Sequence, residues 1–365
     1  MDHAESLVET QGDGGFLAQD LFGNLCCFSI SGHSFRTFIG VANRQMGYKY
    51  GVIGSGALGG FYGGLLARAG HEVHFLFHSD IEHVRKRGLR VDSKLGDFHL
   101  PRVHAYGSPS QMPECDVVLI GLKSTQNHLL ESLVTPLLRS DSIVLVLQNG
   151  LNVEQAARNF LGSTQVAGGC CFLCSNKVGP GHIRHLDYGR IVFGAYRGID
   201  GKDTGPEAHR LEQIRSDMVA SGIEAHLTDD LPTTKWKKLM WNIPFNGLSV
   251  LLDASTDAIM ADSDSRSLAA RISEEVRQIG CAAGCLIEPS YVDWVIDHTD
   301  EMVPYDSSMR LDYLHGRPIE VEAIYGNALQ EAKRCGFSAP IVTTMYQQLR
   351  FMASHRKASA GMVSQ

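Results

Sequence analysis

The stretch Gly54-Ser55-Gly56-Ala57-Leu58-Gly59 constrains this chain more than any other. A G-x-G-x-x-G spacing is common by chance. This one follows a short β-type run, Tyr48 to Ile53, and opens a segment with helix-compatible apolar spacing at Leu58, Phe61, Leu65 and Leu66. In that setting each glycine has a physical reason. The first permits a tight turn, the second lets a pyrophosphate approach the backbone, and the third lets the helix pack close to the strand. The N–H groups at the helix start then face the anion. Gly54, Ser55, Gly56, Ala57, Leu58 and Gly59 are therefore the expected dinucleotide-binding loop. The alternative, a glycine-rich turn without a ligand, does not need the strand before it or the helix after it.

Downstream the same alternation continues. Gly70 closes the first helix as a C-cap, and Glu72 to Phe77 reads as the second strand. Ile81 to Arg87 is a basic amphipathic helix ended by Gly88, and Leu89 to Leu100 is a hairpin around Lys94-Leu95-Gly96. Val117 to Leu122 and Ser142 to Leu147 are apolar without alternation, as strands buried in a parallel sheet are. Helices are expected over Gln126 to Leu138 and Val153 to Phe160, with added strands over Val166 to Gly194 and a helix over Glu207 to Ser221. Past Thr228-Asp229-Asp230-Leu231-Pro232, the segment Thr234 to Ala353 is nearly all helix-patterned. The pattern specifies an α/β chain: a Rossmann-type doubly wound sheet over residues 46–230, then an all-helical domain over 231–356. Residues 1–45 read as a variable extension with no role in the chemistry, and 357–365 as a tail.

Composition removes several function classes. The 365 residues carry a formal net charge of -7 and no long basic run, which argues against nucleic acid or an anionic membrane as partner. No apolar run approaches the roughly 20 residues that span a bilayer. The extension lacks a basic start followed by an uninterrupted apolar core, so a secretory signal is not expected. Nine scattered cysteines in a chain of this size read as reduced thiols, hence a cytoplasmic setting. Cys170-Cys171-x-x-Cys174 with His182 and His185 does not give two clean ligand pairs, and buried structural thiols are expected rather than a metal site.

The cofactor class turns on the end of the second strand, where a carboxylate would bind ribose hydroxyls and repel a 2′-phosphate. His78 and Ser79 stand there, with Asp80 two positions late and equally suited to cap a helix. Donors without a carboxylate favour NADP(H), with NAD(H) as the alternative. Farther on, Lys238, Asn242 and Asn246 are spaced i, i+4, i+8, which puts an ammonium and two amides on one helix face, with Pro244 expected to distort the row. Hydride delivered to a keto carbon leaves an alkoxide. A lysine beside that oxygen can stabilise the charge and donate the proton, while amides hold polar substrate groups.

Taken in order, five stretches resemble the ketopantoate reductases from about Lys49 to about Arg350. They are the Gly54–Gly59 loop, Gly121-Leu122-Lys123-Ser124-Thr125-Gln126, Gln148-Asn149-Gly150, the Trp236-x-Lys238-Leu239…Asn242…Asn246 run, and Ser307-Ser308-Met309…Asp312…Gly316-Arg317-Pro318-Ile319-Glu320. The resemblance implies NADPH-dependent reduction of 2-dehydropantoate to pantoate, on the way to pantothenate and coenzyme A. It implies a helical domain like that of 6-phosphogluconate dehydrogenase, with the active site in the cleft between the domains. Lys238 is implied as general acid, and Glu320 as the contact to the substrate hydroxyl that also orients Lys238. Asn242 and Asn246 are implied as substrate amides, and Ser308 as donor to the substrate carboxylate. Asn149 is placed near nicotinamide and substrate, and Lys123 in the cofactor cleft. His78 stands where many members carry an arginine for the 2′-phosphate. The expected partner is a small anionic 2-oxo acid, and a homodimer is compatible with the chain. Two alternatives stay open: a related reductase of another 2-oxo acid, and a non-catalytic NADP(H) sensor. Lys123 as a strand-end surface residue and Glu320 as an exposed helix start are the bland readings of those two positions.

Overall fold

A computed structural model describes residues 47–162, 165–304 and 306–362, without the side chains of 356–362. Residues 1–46, and with them the expectation of a variable extension, lie outside the described residues.

The sheet half begins with β1 (Tyr50–Ile53), α1 (Ala57–Arg68), β2 (Val73–Leu76) and α2 (Ile81–Arg87). The antiparallel pair β3 (Leu89–Ser93) and β4 (Phe98–Leu100) follows, then β5 (His104–Tyr106) and β6 (Cys115–Ile120). The connection to β7 (Leu138–Val146) is not the single helix expected over Gln126 to Leu138. It is a 3-10 turn Ser124–Leu129, a short α3 (Leu130–Val134), and a second 3-10 turn Thr135–Leu137 that holds Pro136. Proline cannot donate to the preceding turn, so the segment stops short of a full helix. After α4 (Glu154–Arg158), two strands of 14 residues each, β8 (Val166–Gly179) and β9 (His182–Ala195), form a long antiparallel hairpin. The half closes with α5 (Ala208–Ala220) and β10 (Ala225–Leu227).

Strand order is β4-β3-β9-β8-β7-β6-β1-β2-β5, with β10 also on β9. The parallel ladder β2–β1–β6–β7–β8 is the expected doubly wound frame, with one apolar core on each face. Helix α1 packs against β1, β2, β3, β8 and β9 together, and eight of its residues, Gly59 to Leu66, are buried. Its many glycines let strands come close on several sides.

The helical half starts on α6 (Leu231–Leu251), which Asp230 caps by accepting the Thr233 N–H. Trp236, Met240, Ile243 and Phe245 sink into a core shared with α8 (Ser263–Ala282), α9 (Ser290–Glu301) and α12 (Pro340–Met362). The helix continues through Pro244 to Leu251. The Tyr325 hydroxyl donates to the Ile243 carbonyl, 2.8 Å away, tying the segment before α11 to this helix. Helices α7 (Thr256–Ala261), α10 (Ser308–Leu314) and α11 (Asn327–Arg334) complete the half, with a π-turn at Glu322–Gly326 ahead of α11. No described helix is long and apolar enough to cross a membrane.

Candidate active site

The phosphate loop has the geometry its glycines suggest. Gly54 has φ +89°, and a Cβ there would lie 2.3 Å from the Leu122 nitrogen, so only glycine fits between β1 and the loop after β6. A Cβ on Gly59 would lie 2.4 Å from the Gly54 carbonyl oxygen. At Gly56, by contrast, a Cβ would meet nothing within 4 Å, and no side chain caps α1. An open approach to an uncapped helix start fits a pyrophosphate. Ser55 donates to the Leu76 carbonyl at 2.9 Å, tying the loop to β2.

His78 is exposed just past β2. Asp80 is buried and turned away from that position. Its carboxylate accepts from Lys177 Nζ at 2.7 Å and from the Gly181 N–H at 2.9 Å. Burial alone would raise its pKa, but those two donors hold it below the ordinary carboxylate value, so it stays ionised and occupied. Its side chain makes no capping bond to α2.

The loop after β7 carries Asn149 and is docked onto the π-turn. The Leu151 N–H donates to Ala323 O at 2.9 Å, and the Asn327 amide donates to Leu151 O at 2.6 Å. Lys238, on α6, donates from Nζ to Asn149 Oδ1 at 2.6 Å, and Asn149, Lys238 and Asn242 line one small cavity with Gly169 and Cys170 of β8. The Lys238 ammonium also stands over the Phe172 ring, 5.9 Å from its centroid. Burial is the main reason its pKa is held below the ordinary lysine value. Lys235 acts the same way, while Cys170, Cys171 and Glu320 oppose.

Glu320 is 5 % exposed, which removes the reading of it as an exposed helix start. It does not take Lys238 as its partner. Its Oε1 accepts the Ser124 N–H at 2.8 Å and the Ser124 hydroxyl at 2.7 Å, and Lys123 Nζ lies 3.4 Å from Oε2. Lys123 Nζ also lies 2.7 Å from Asp312 Oδ2, and Arg317 donates to Asp312 Oδ1 at 2.8 Å. The expected Lys238–Glu320 contact is thus replaced by two neighbouring contacts, Lys238–Asn149 and Glu320–Lys123/Ser124. The loop after β6 reaches the acid before the helix does. Lys123 thus bridges the two halves.

Asn246 is 2 % exposed and is not among the residues lining the cavity. Ser308 is the first residue of α10. Beside it Ser307 accepts from the Arg310 N–H and shares a 2.7 Å hydrogen bond with Ser249 of α6. Cys170, Cys171 and Cys174 are buried thiols, and burial pushes Cys171 and Cys174 up to about 12. His182 bonds Asp92 and His185 bonds Ser93. Lys235, which also lines that cavity and pairs with Glu154, was missed in the sequence, where it is one of three lysines on this helix and belongs to no motif.

Two family models match this chain: "Ketopantoate reductase PanE/ApbA" over residues 50–198 and "Ketopantoate reductase PanE/ApbA C terminal" over residues 230–353. The chain belongs to the ketopantoate reductase family. A 2-dehydropantoate 2-reductase of Nostoc sp. (strain PCC 7120 / SAG 25.82 / UTEX 2576) is 48% identical over 304 residues, covering 83% of this chain and 95% of the relative. The crystal structure of 2-dehydropantoate 2-reductase from Geobacter metallireducens GS-15 superimposes with a TM-score of 0.79 at 38% identity, covering 83% of this chain and 99% of that one. The ternary structure of D-mandelate dehydrogenase with NADH and anilino(oxo)acetate shares the fold, with a TM-score of 0.75 at 20% identity over 85% of this chain and 99% of that one. This ketopantoate reductase family member is an oxidoreductase with a Rossmann-like sheet and a helical C-terminal half.

Proposed function

We propose that this chain reduces 2-dehydropantoate to pantoate with NADPH, on the way to pantothenate and coenzyme A. The observation that carries the reading is the Lys238 ammonium held 2.6 Å from Asn149 Oδ1 in a cavity shared with Asn242. Gly54–Gly59 would hold the dinucleotide, which when bound would supply the hydride for the keto carbon. Lys238 stands ready to donate one N–H proton to the keto oxygen as its carbonyl π-bond breaks, and it regains that proton from solvent. Asn149 accepts from the ammonium and so aims it.

Asn242, Asn246 and Ser308 are assigned to the substrate's polar groups. Glu320 is assigned to the substrate hydroxyl, with Ser124 and Lys123 holding the carboxylate in place meanwhile. His78, exposed at the end of β2, is assigned to the 2′-phosphate, and the engagement of Asp80 elsewhere supports NADPH over NADH. The named 2-dehydropantoate 2-reductase relatives support the substrate.

Steady-state oxidation of NADPH and of NADH across a set of 2-oxo acids tests the reading. The highest kcat/KM should fall to 2-dehydropantoate with NADPH. Lys238→Ala should lower kcat by about 10²- to 10⁴-fold, the usual worth of a positioned acid. A variant with near-normal turnover would remove Lys238 from the chemistry.

A further inference from the structure

The loop that carries Asn149 and the helix that carries Lys238 are joined twice. One joint is the Lys238–Asn149 hydrogen bond. The other lies one helical turn away, where Lys235 Nζ makes an ion pair with Glu154 at the start of α4. Lys235 is 5 % exposed and Glu154 is 0 % exposed. Apart from each other, the Lys235 ammonium and both Glu154 carboxylate oxygens have no hydrogen-bond partner among the described residues. The chain makes room for this pair, since a Cβ on Gly168 of β8 would lie 2.3 Å from Glu154 Oε1.

Stability is a weak explanation for such a pair. Taking two charges out of water costs several kcal/mol each, roughly, and apolar replacements of similar volume are often neutral or better. The ammonium is nevertheless kept. Burial alone would depress it, yet Glu154, with Cys170 and Cys171 adding, carries Lys235 above the ordinary lysine range.

The groups around Lys238 show what the pair can do. Asn149 faces it from the loop, Cys170, Cys171 and the Phe172 ring face it from β8, Lys235 from its own helix, and Glu320 from the segment before the π-turn. With Cys171 at about 12, that thiol is neutral near physiological pH. Lys235, three residues away on one helix face, is a like charge that opposes the Lys238 ammonium.

We propose that Glu154 is a positioning residue for the reduction. By holding Lys235, it fixes the spacing of loop and helix at which Asn149 receives Lys238, and it keeps the Lys235 ammonium paired on the side away from that contact. The proposal rests on Lys238 being the proton donor.

The test is the full chain carrying Glu154→Leu and Lys235→Met together, measured with NADPH and 2-dehydropantoate beside wild type. The double variant should melt at or above the wild-type temperature. Its kcat should fall by about 10- to 100-fold, the scale of a small misplacement at a reacting centre. Its NADPH Kd should stay within about threefold, because the ion pair acts on the proton donor and not on the phosphate loop. A folded double variant with wild-type kcat overturns the proposal, and one that melts far below wild type passes the decision to Glu154→Gln. Glu154→Gln keeps the side-chain length and gives the same reading should the double variant be recovered unfolded. A kcat loss of the same size supports the role, and an unchanged kcat overturns it. Lys238→Ala in parallel separates the two claims. If it keeps its turnover, the donor assignment fails. If it loses turnover while the pair variants do not, only the positioning role fails.

Discussion

Lys238 illustrates how one side chain's surroundings become a rate profile. Burial, with Lys235 beside it, holds its pKa below the 10.5 of an ordinary lysine. The donor works only when protonated, so reductive kcat/KM should be level through neutral pH and decline as pH rises through that lowered value. Lys238→Ala should abolish that alkaline limb, and a limb that survives the substitution would show that the proton comes from another group. Lys238 and Asn242 were legible in the sequence because i, i+4 spacing reports a helix face directly. The partner of Glu320 was not. Its bonds to Lys123 and Ser124 join segments almost 200 residues apart, and only tertiary packing decides which cation arrives first. Glu154 was hidden for a similar reason. It reads as an acidic residue in the first turn of a short helix, which is ordinary complementarity to the helix dipole.

At the scale of elements, the strand–loop–helix opening was read almost to the residue, since its glycines serve local sterics that a short window contains. Gly59→Ala should therefore raise the NADPH Kd by at least about tenfold, because its Cβ would meet backbone that cannot swing aside. Isothermal titration of the purified variant would check this, and wild-type affinity would mean that the loop tolerates a shift. His78→Arg should tighten NADPH relative to NADH, and a comparison of Kd values for the two dinucleotides reads it directly. An unchanged ratio would put 2′-phosphate recognition elsewhere. The connection over Gln126 to Leu138 was harder to read. Its apolar spacing suits a helix, while Pro136 and a short span across the sheet favour 3-10 turns. At Pro244 the helix carries on to Leu251, so the proline does not end the element.

For the whole molecule, the family matches span residues 50–198 and 230–353, both downstream of the first 45 residues. Removing residues 1–45 should leave reductase activity intact, and an insoluble or inactive truncation would show that the first residues pack on the rest. The frame of the sheet was legible because buried parallel strands declare themselves by composition. The attachment of β3 to β9 was not, because it joins distant stretches edge to edge without a mark in either. Helix α1 has the widest consequence at this scale. Five strands of the sheet half pack on it, and its first turn is the place proposed for the dinucleotide. Ligand grip and resistance to heat are thus coupled through one helix. At a hundred times its dissociation constant, NADPH should add about 2.7 kcal/mol of protection by mass action. How durable the enzyme is in a given cell would then follow its reservoir of reduced dinucleotide.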